Sequence, residues 1–157
     1  MKLSYQGIQD KQGYAAAQVA LPQYDWAKMA EKTAEKPVWV HFGAGNIFRG
    51  FIAGLQQRLL NAGLAESGIV AAETFDYDII DKIYVPHDSM TLMVSLKADG
   101  STQKEVIASI AKGIKANCAD EAQWQQLTDV FTAPSLQMAS FTITEKGYAL
   151  YRPCLLY

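Results

Sequence analysis

Cysteine is scarce in this chain of 157 residues: there are two, Cys118 and Cys154. They lack the spacing of a metal or redox motif and are read as free thiols in a reducing cytoplasm. Charge is thin as well. Only 19% of the residues are charged, 14 basic against 16 acidic, with no run of one sign. Nothing in that balance favours nucleic acid or an anionic membrane as a partner. No uninterrupted apolar stretch reaches membrane-spanning length, and MKLSYQGIQDKQGY has no apolar signal core. Repeats and low-complexity tracts are missing too. What is present is a composition 50% hydrophobic, enough for one substantial core and against disorder.

Residues 1–23 are mixed and Gln-rich and are expected to form a loosely ordered lead-in to a single domain over 24–157. Asp25 is placed to cap a helix over WAKMAEKTA, which Pro37 ends. PVWVHF predicts a short buried strand. After Gly43 and Gly45, apolar residues recur at Phe48, Phe51, Ile52, Leu55 and Leu59, with Arg49, Gln56, Gln57 and Arg58 mostly opposite. That spacing predicts an amphipathic helix resting on the apolar stripe and stopped by Gly63. IVAAET predicts a second buried strand, and FDYDIIDKIY a short helix ended by Pro86. MTLMVSLKADGSTQKEVIASIAKGI reads as two β-like runs around Asp99-Gly100, a hairpin signal. Asp120 with Gln123 resembles a capping box for EAQWQQLTDVF, and LQMASFTIT predicts a last strand. The order implies an α/β fold, Rossmann-like, with a mostly parallel sheet and an antiparallel hairpin insertion.

VWVHFGAGNIFRGF carries the chemistry. A first glycine permits a tight turn after a strand, and a second lets the backbone approach a pyrophosphate. The following helix offers unpaired N–H groups and a positive dipole end. An acidic residue at the end of the next strand then meets the ribose, and Glu73 stands there. The third glycine of the usual fingerprint falls at Phe48, so this G-x-G is incomplete.

HFGAGNIFRGFIAG resembles the cofactor loop of the mannitol dehydrogenase family, the polyol-specific long-chain dehydrogenases that include hexuronate reductases. TLMVSLKADGSTQKEVIASI is similar to that family's hairpin, and SFTITEKGY to its segment near the nicotinamide. The resemblance implies an NAD-binding set of Gly43, Gly45, Asn46, Ile47, Arg49, Glu73 and Glu145. In it the loop residues surround the pyrophosphate, Glu73 meets the adenosine ribose and Glu145 lies toward the nicotinamide. An acidic Glu73 favours NAD over NADP. The substrate implied is a sugar alcohol, its phosphate or a hexuronate. The family's catalytic lysine belongs to a second, helical domain. Lys112 and Asn117 match part of its spacing, but position 120 is Asp120 where a histidine is needed. The chain is therefore expected to be truncated and inactive alone.

Two other readings stay open. A methyltransferase-like domain binding S-adenosylmethionine also places glycines after its first strand and an acid after its second. A non-catalytic nucleotide-binding module, self-associating through an exposed sheet edge, needs no second domain. His41 and His87 have no partner at ligand or triad spacing and are assigned to packing and turn hydrogen bonding. Asp76, Asp78 and Asp81 are assigned to the first turns of a helix. Tyr148 and Tyr151 are assigned to a half-buried edge.

Overall fold

The computed structural model of the chain describes residues 2–143. A 3-10 turn at Gly7–Gln9 precedes α1 (Lys11–Ala16), β1 (Val19–Ala20), α2 (Trp26–Glu35) and β2 (Trp39–Phe42). The glycines then lead into a helix whose second half is α3 (Ala53–Asn61), followed by β3 (Ile69–Glu73). α4 (Tyr77–Ile79) runs on through a π-helical turn at Ile80–Tyr84 and a 3-10 turn at Val85–His87. β4 (Thr91–Leu96), β5 (Thr102–Ile107), β6 (Ile110–Lys115), α5 (Glu121–Thr132) and β7 (Met138–Phe141) complete the described chain.

Four strands form a parallel sheet in the order β6-β3-β2-β7. Counted within that sheet the order is 3-2-1-4, the first part of a doubly wound fold. The crevice where ligands bind such sheets lies at the carboxyl ends of the two strands flanking the reversal, here β2 and β7. The strands alternate between two cores. Ile69 and Ala71 face Phe48, Ala53, Ile80 and Tyr84 on one side of the sheet. Val40, Val70, Ala72 and Ile114 face Leu127 and Val130 of α5 on the other. The expected hairpin is β4 with β5, antiparallel and joined by residues 97–101. It belongs to a second sheet, in which β1 pairs parallel with β5. No described helix is long and apolar enough to cross a membrane.

Asp25 and Asp120 cap α2 and α5 as their positions suggest, accepting from the N–H groups of Lys28 and Gln123. Gln123 does not complete a capping box, because its side chain accepts from Lys115 N–H in β6 at 2.9 Å. Gly63 ends α3 at φ +69°. Gly63 N–H donates to Leu60 and Leu64 N–H to Leu59, the paired bonds of a Schellman turn.

Three features differ from the sequence reading. Residues 2–23, expected to be loosely ordered, contain α1 and β1, and Ile8 and Tyr14 pack in a third cluster with Met90, Val106 and Ala108. IAKGI is not part of the hairpin: it is β6, the edge of the parallel sheet beyond β3. The helix after the glycines buries a different face from the one expected. Phe48 is fully buried, but Phe51, Leu55 and Leu59 are exposed while Gln56 and Gln57 are buried. The cause is a π-helical turn over Phe48–Ile52, closed by Ala53 N–H to Phe48 O. It inserts one residue into the repeat, so the buried series runs 48, 53, 57, 60 instead of 48, 52, 55, 59. The buried amides are satisfied. Gln56 donates to Ser67 O at 2.7 Å, and Gln57 donates to Val106 O at 2.8 Å and accepts from Ala108 N–H at 2.7 Å.

Candidate functional site

β2 delivers the chain to the sheet's carboxyl end at Phe42, and the glycine loop turns there into the helix. Gly43 adopts φ +107°, a conformation costly for any L side chain. A β-carbon there would also lie 2.4 Å from Thr142 Oγ1, so the first glycine is required by the packing of β2 against β7. Its N–H is already used, donating to Ala72 O at 2.9 Å. Gly45 is the opposite case: a β-carbon there meets nothing within 4 Å among the described residues.

Ala44, between them, is fully buried and held at both polar ends. Its N–H donates to Glu73 Oε2 at 2.8 Å, and its carbonyl accepts from the Tyr84 hydroxyl at 3.0 Å. Burial drives the Tyr84 phenol pKa far up, with Glu73 reinforcing and Arg49 opposing, so the group stays a neutral donor. The other oxygen of Glu73 accepts from the N–H groups of Thr74, Phe75 and Asp76 at 3.0, 3.0 and 3.3 Å. Glu73 is thus a buried carboxylate holding the glycine loop to the turn after β3.

Beyond Ala44 the loop's donors have no partner among the described residues. Gly45, Asn46 and Ile47 open the helix and are exposed. They stand at the start of the helix, where N–H groups lack an intrahelical acceptor, and among the described residues no side chain caps the helix at Ile47. Arg49 lies one turn further on; its guanidinium donates to Asn46 Oδ1, and its Nε is buried without a partner among the described residues. Three unpaired amides and a guanidinium at a helix N-terminus form a place for an anion.

The floor of the loop is a buried histidine. His41 is stacked on Phe48, ring centroids 4.1 Å apart and planes 6° off parallel. Trp39 Nε1 donates to Ser140 Oγ at 2.6 Å, and His41 Nδ1 is hydrogen-bonded to the same oxygen at 2.7 Å. His41 Nε2 is hydrogen-bonded to Thr142 Oγ1 at 3.2 Å, so both ring nitrogens are satisfied. Burial lowers the His41 pKa to about 4, so it is neutral near pH 7. His87 serves a turn: its Nδ1 meets Leu3 O at 2.9 Å. Asp78 and Asp81 pair with Lys82 and Lys115.

A cleft of about 500 Å³ lies beside the loop at the strand ends. Phe42, Thr74, Ala116, Trp124 and Phe131 line it, the first two adjoining Gly43 and Glu73. Its mostly apolar walls suit a flat, uncharged ring system. Glu145, Tyr148, Tyr151 and Cys154 lie outside the described residues; Cys118 is an exposed free thiol. The sequence places the glycine turn after β2 and Glu73 at the end of β3, where both lie, but gives no notice of Tyr84; its one signal is a tyrosine on the apolar side of a short helix, where a buried hydroxyl must find an acceptor.

No family model matches the chain. The D-mannonate oxidoreductase of Thermotoga maritima is 43% identical over 148 residues, 94% of this chain but 27% of that protein. The altronate oxidoreductase of Halalkalibacterium halodurans is 28% identical over 120 residues, 74% of this chain and 23% of the relative. Among solved structures, the Pseudomonas fluorescens mannitol 2-dehydrogenase, in complex with NAD and D-mannitol, superposes with a TM-score of 0.75 at 26% identity. That match covers 94% of this chain and 28% of the dehydrogenase. The chain spans about a quarter of the length of the relatives it matches, and over that span it is similar to the mannonate, altronate and mannitol members of one dehydrogenase family and shares their Rossmann-type fold.

Proposed function

We propose that this chain is the cofactor-binding part of a cytoplasmic NAD-dependent oxidoreductase acting on a sugar alcohol, a sugar-alcohol phosphate or a hexuronate. The observation that carries the reading is the run of N–H groups at Gly45, Asn46 and Ile47 without a partner among the described residues, which also leave open space over Gly45. Those amides would bind the diphosphate, with Arg49 supplying a charge-assisted contact. The adenine fits the cleft beside Phe42 and Trp124. The ribose approaches Glu73 Oε2, which among the described residues accepts one hydrogen bond, from Ala44 N–H, and a carboxylate there repels a 2′-phosphate. Glu145 is assigned to the nicotinamide end on the family resemblance. Bound NAD supplies the hydride acceptor. This chain's own residues bind and orient it and are assigned no proton transfer, so the chain alone should show no polyol oxidation.

The oxidoreductase names of the relatives weigh against the methyltransferase alternative. Among the described residues β7 is an open edge of the parallel sheet, a route to self-association that light scattering would detect. The reading is tested by calorimetric titration of the 157-residue chain with NADH, with S-adenosylmethionine as the competing ligand. Saturable NADH binding that Gly45→Val removes is the expected result. Binding of S-adenosylmethionine alone, or of neither ligand, would sink the reading.

A further inference from the structure

Ala44 lies between two peptide planes, and a different side chain grips each. Glu73 takes the N–H of the Gly43–Ala44 peptide, and Tyr84 donates to the carbonyl of the Ala44–Gly45 peptide. That second plane also carries the Gly45 N–H, the first free donor of the loop. Because the peptide is planar and trans, its C=O and N–H point to opposite sides. Fixing the carbonyl inward therefore aims the Gly45 N–H outward.

We infer that Tyr84 is a positioning residue for the dinucleotide: its hydroxyl, buried under the loop and bonded to Ala44 O, sets the direction in which the Gly45 amide meets the cofactor's diphosphate. Tyr84 sits 40 residues from Ala44 in sequence, on the π-helical turn that follows α4. The sheet is shaped to receive its ring. A β-carbon at Gly113, in the middle of β6, would come within 2.8 Å of Tyr84 Cδ1 and 2.9 Å of Ile80 Cδ1. Glycine at that interior strand position leaves room for the tyrosine to reach the loop. Glu73 and Tyr84 approach Ala44 from different elements, so together they remove both rotations that would let the Gly45 amide swing. An amide already aimed at its anion loses no orientational freedom on binding, which is how a residue that never touches the ligand raises affinity.

The inference rests on the dinucleotide reading, and the test separates the two. Tyr84→Phe removes one oxygen and keeps the ring. Tyr24→Phe is the control, since it removes a half-buried hydroxyl away from the loop, one that donates to Gln57 Oε1 at 3.3 Å. In Tyr84→Phe the chain should remain folded by circular dichroism. Protection of the Ala44 amide from hydrogen exchange should fall, and the residual dipolar coupling of the Gly45 N–H should change. NADH affinity should drop about tenfold. Tyr24→Phe should leave all three unchanged. An unchanged Gly45 coupling and Ala44 protection in Tyr84→Phe would overturn the inference whatever the affinities. Wild type and Tyr84→Phe binding NADH equally would overturn it while leaving the dinucleotide reading intact. Wild type failing to bind would overturn that reading and leave the two solution measurements to judge Tyr84. Should Tyr84→Phe fail to fold, the wild-type Tyr84 hydroxyl proton decides: slow exchange and a nuclear Overhauser contact to the loop support the inference, and their absence overturns it.

Discussion

Gly43 and Gly45 stand two residues apart in one loop, and a β-carbon would meet opposite surroundings at the two positions. At the first it strikes Thr142 on the neighbouring strand from a backbone with φ +107°; at the second it reaches open space. The same residue type therefore answers to different demands. Gly43 is needed for the chain to pass between β2 and β7 at all. Among the described residues nothing crowds Gly45, and under the proposed function its bare backbone serves the close approach of the cofactor. The fold's demand and the proposed binding thus fall on different glycines of one loop, and substitution can separate them.

The largest expected effect is at the first of them. Gly43→Val should cost about 3 kcal/mol or more, since a β-branched residue is forced into positive φ against backbone; urea denaturation measures it. Gly45→Val should leave the unfolding midpoint within about 0.5 kcal/mol of wild type. By calorimetry the same variant should lower NADH affinity about 100-fold, or ~2.7 kcal/mol. If both variants unfold, or both bind, the contrast between the two glycines fails.

His41 tests the wall on which Gly43 leans, because its ring holds Thr142 in place. The folded pKa of about 4 lies below the ordinary 6.5, so the unfolded chain takes up the proton first as pH falls. Stability from this group is complete above the unfolded value and is lost as pH drops from 6.5 toward 4, by about 3 kcal/mol. In a His41→Phe variant that part of the slope of unfolding free energy against pH should vanish. The smallest effect belongs to the Gly45 side. Arg49→Gln should weaken NADH binding about tenfold and flatten its salt dependence, with little change in melting temperature.

Local patterns carried much of this architecture in the sequence. PVWVHF and IVAAET became β2 and β3, Asp25 and Asp120 became caps, and ADG marked the hairpin, each by a signal confined to a few neighbours. The glycine loop was legible for the same reason. What could not be read depends on contacts across long stretches of chain. The π-helical turn at Phe48–Ile52 leaves no mark in a hydrophobic repeat, so the helix was assigned the wrong buried face. β1 is two residues long and exists only because β5 is beside it. Glu73 was recognised as the acid at the strand end, but its grip on Ala44 spans 29 residues, and no spacing rule reports whether a carboxylate turns toward solvent or toward its own loop.

The inversion of that helix has a consequence at the seam between the sheets. Where the chain leaves the hairpin for β6, at Ala108 and Ser109, it abandons one set of strand neighbours before it has gained the next. Gln57 meets it there with a primary amide that gives a proton to Val106 O and takes one from Ala108 N–H. That side chain stands in for a missing length of backbone, and a leucine at the same place would leave a raw corner with two stranded polar groups.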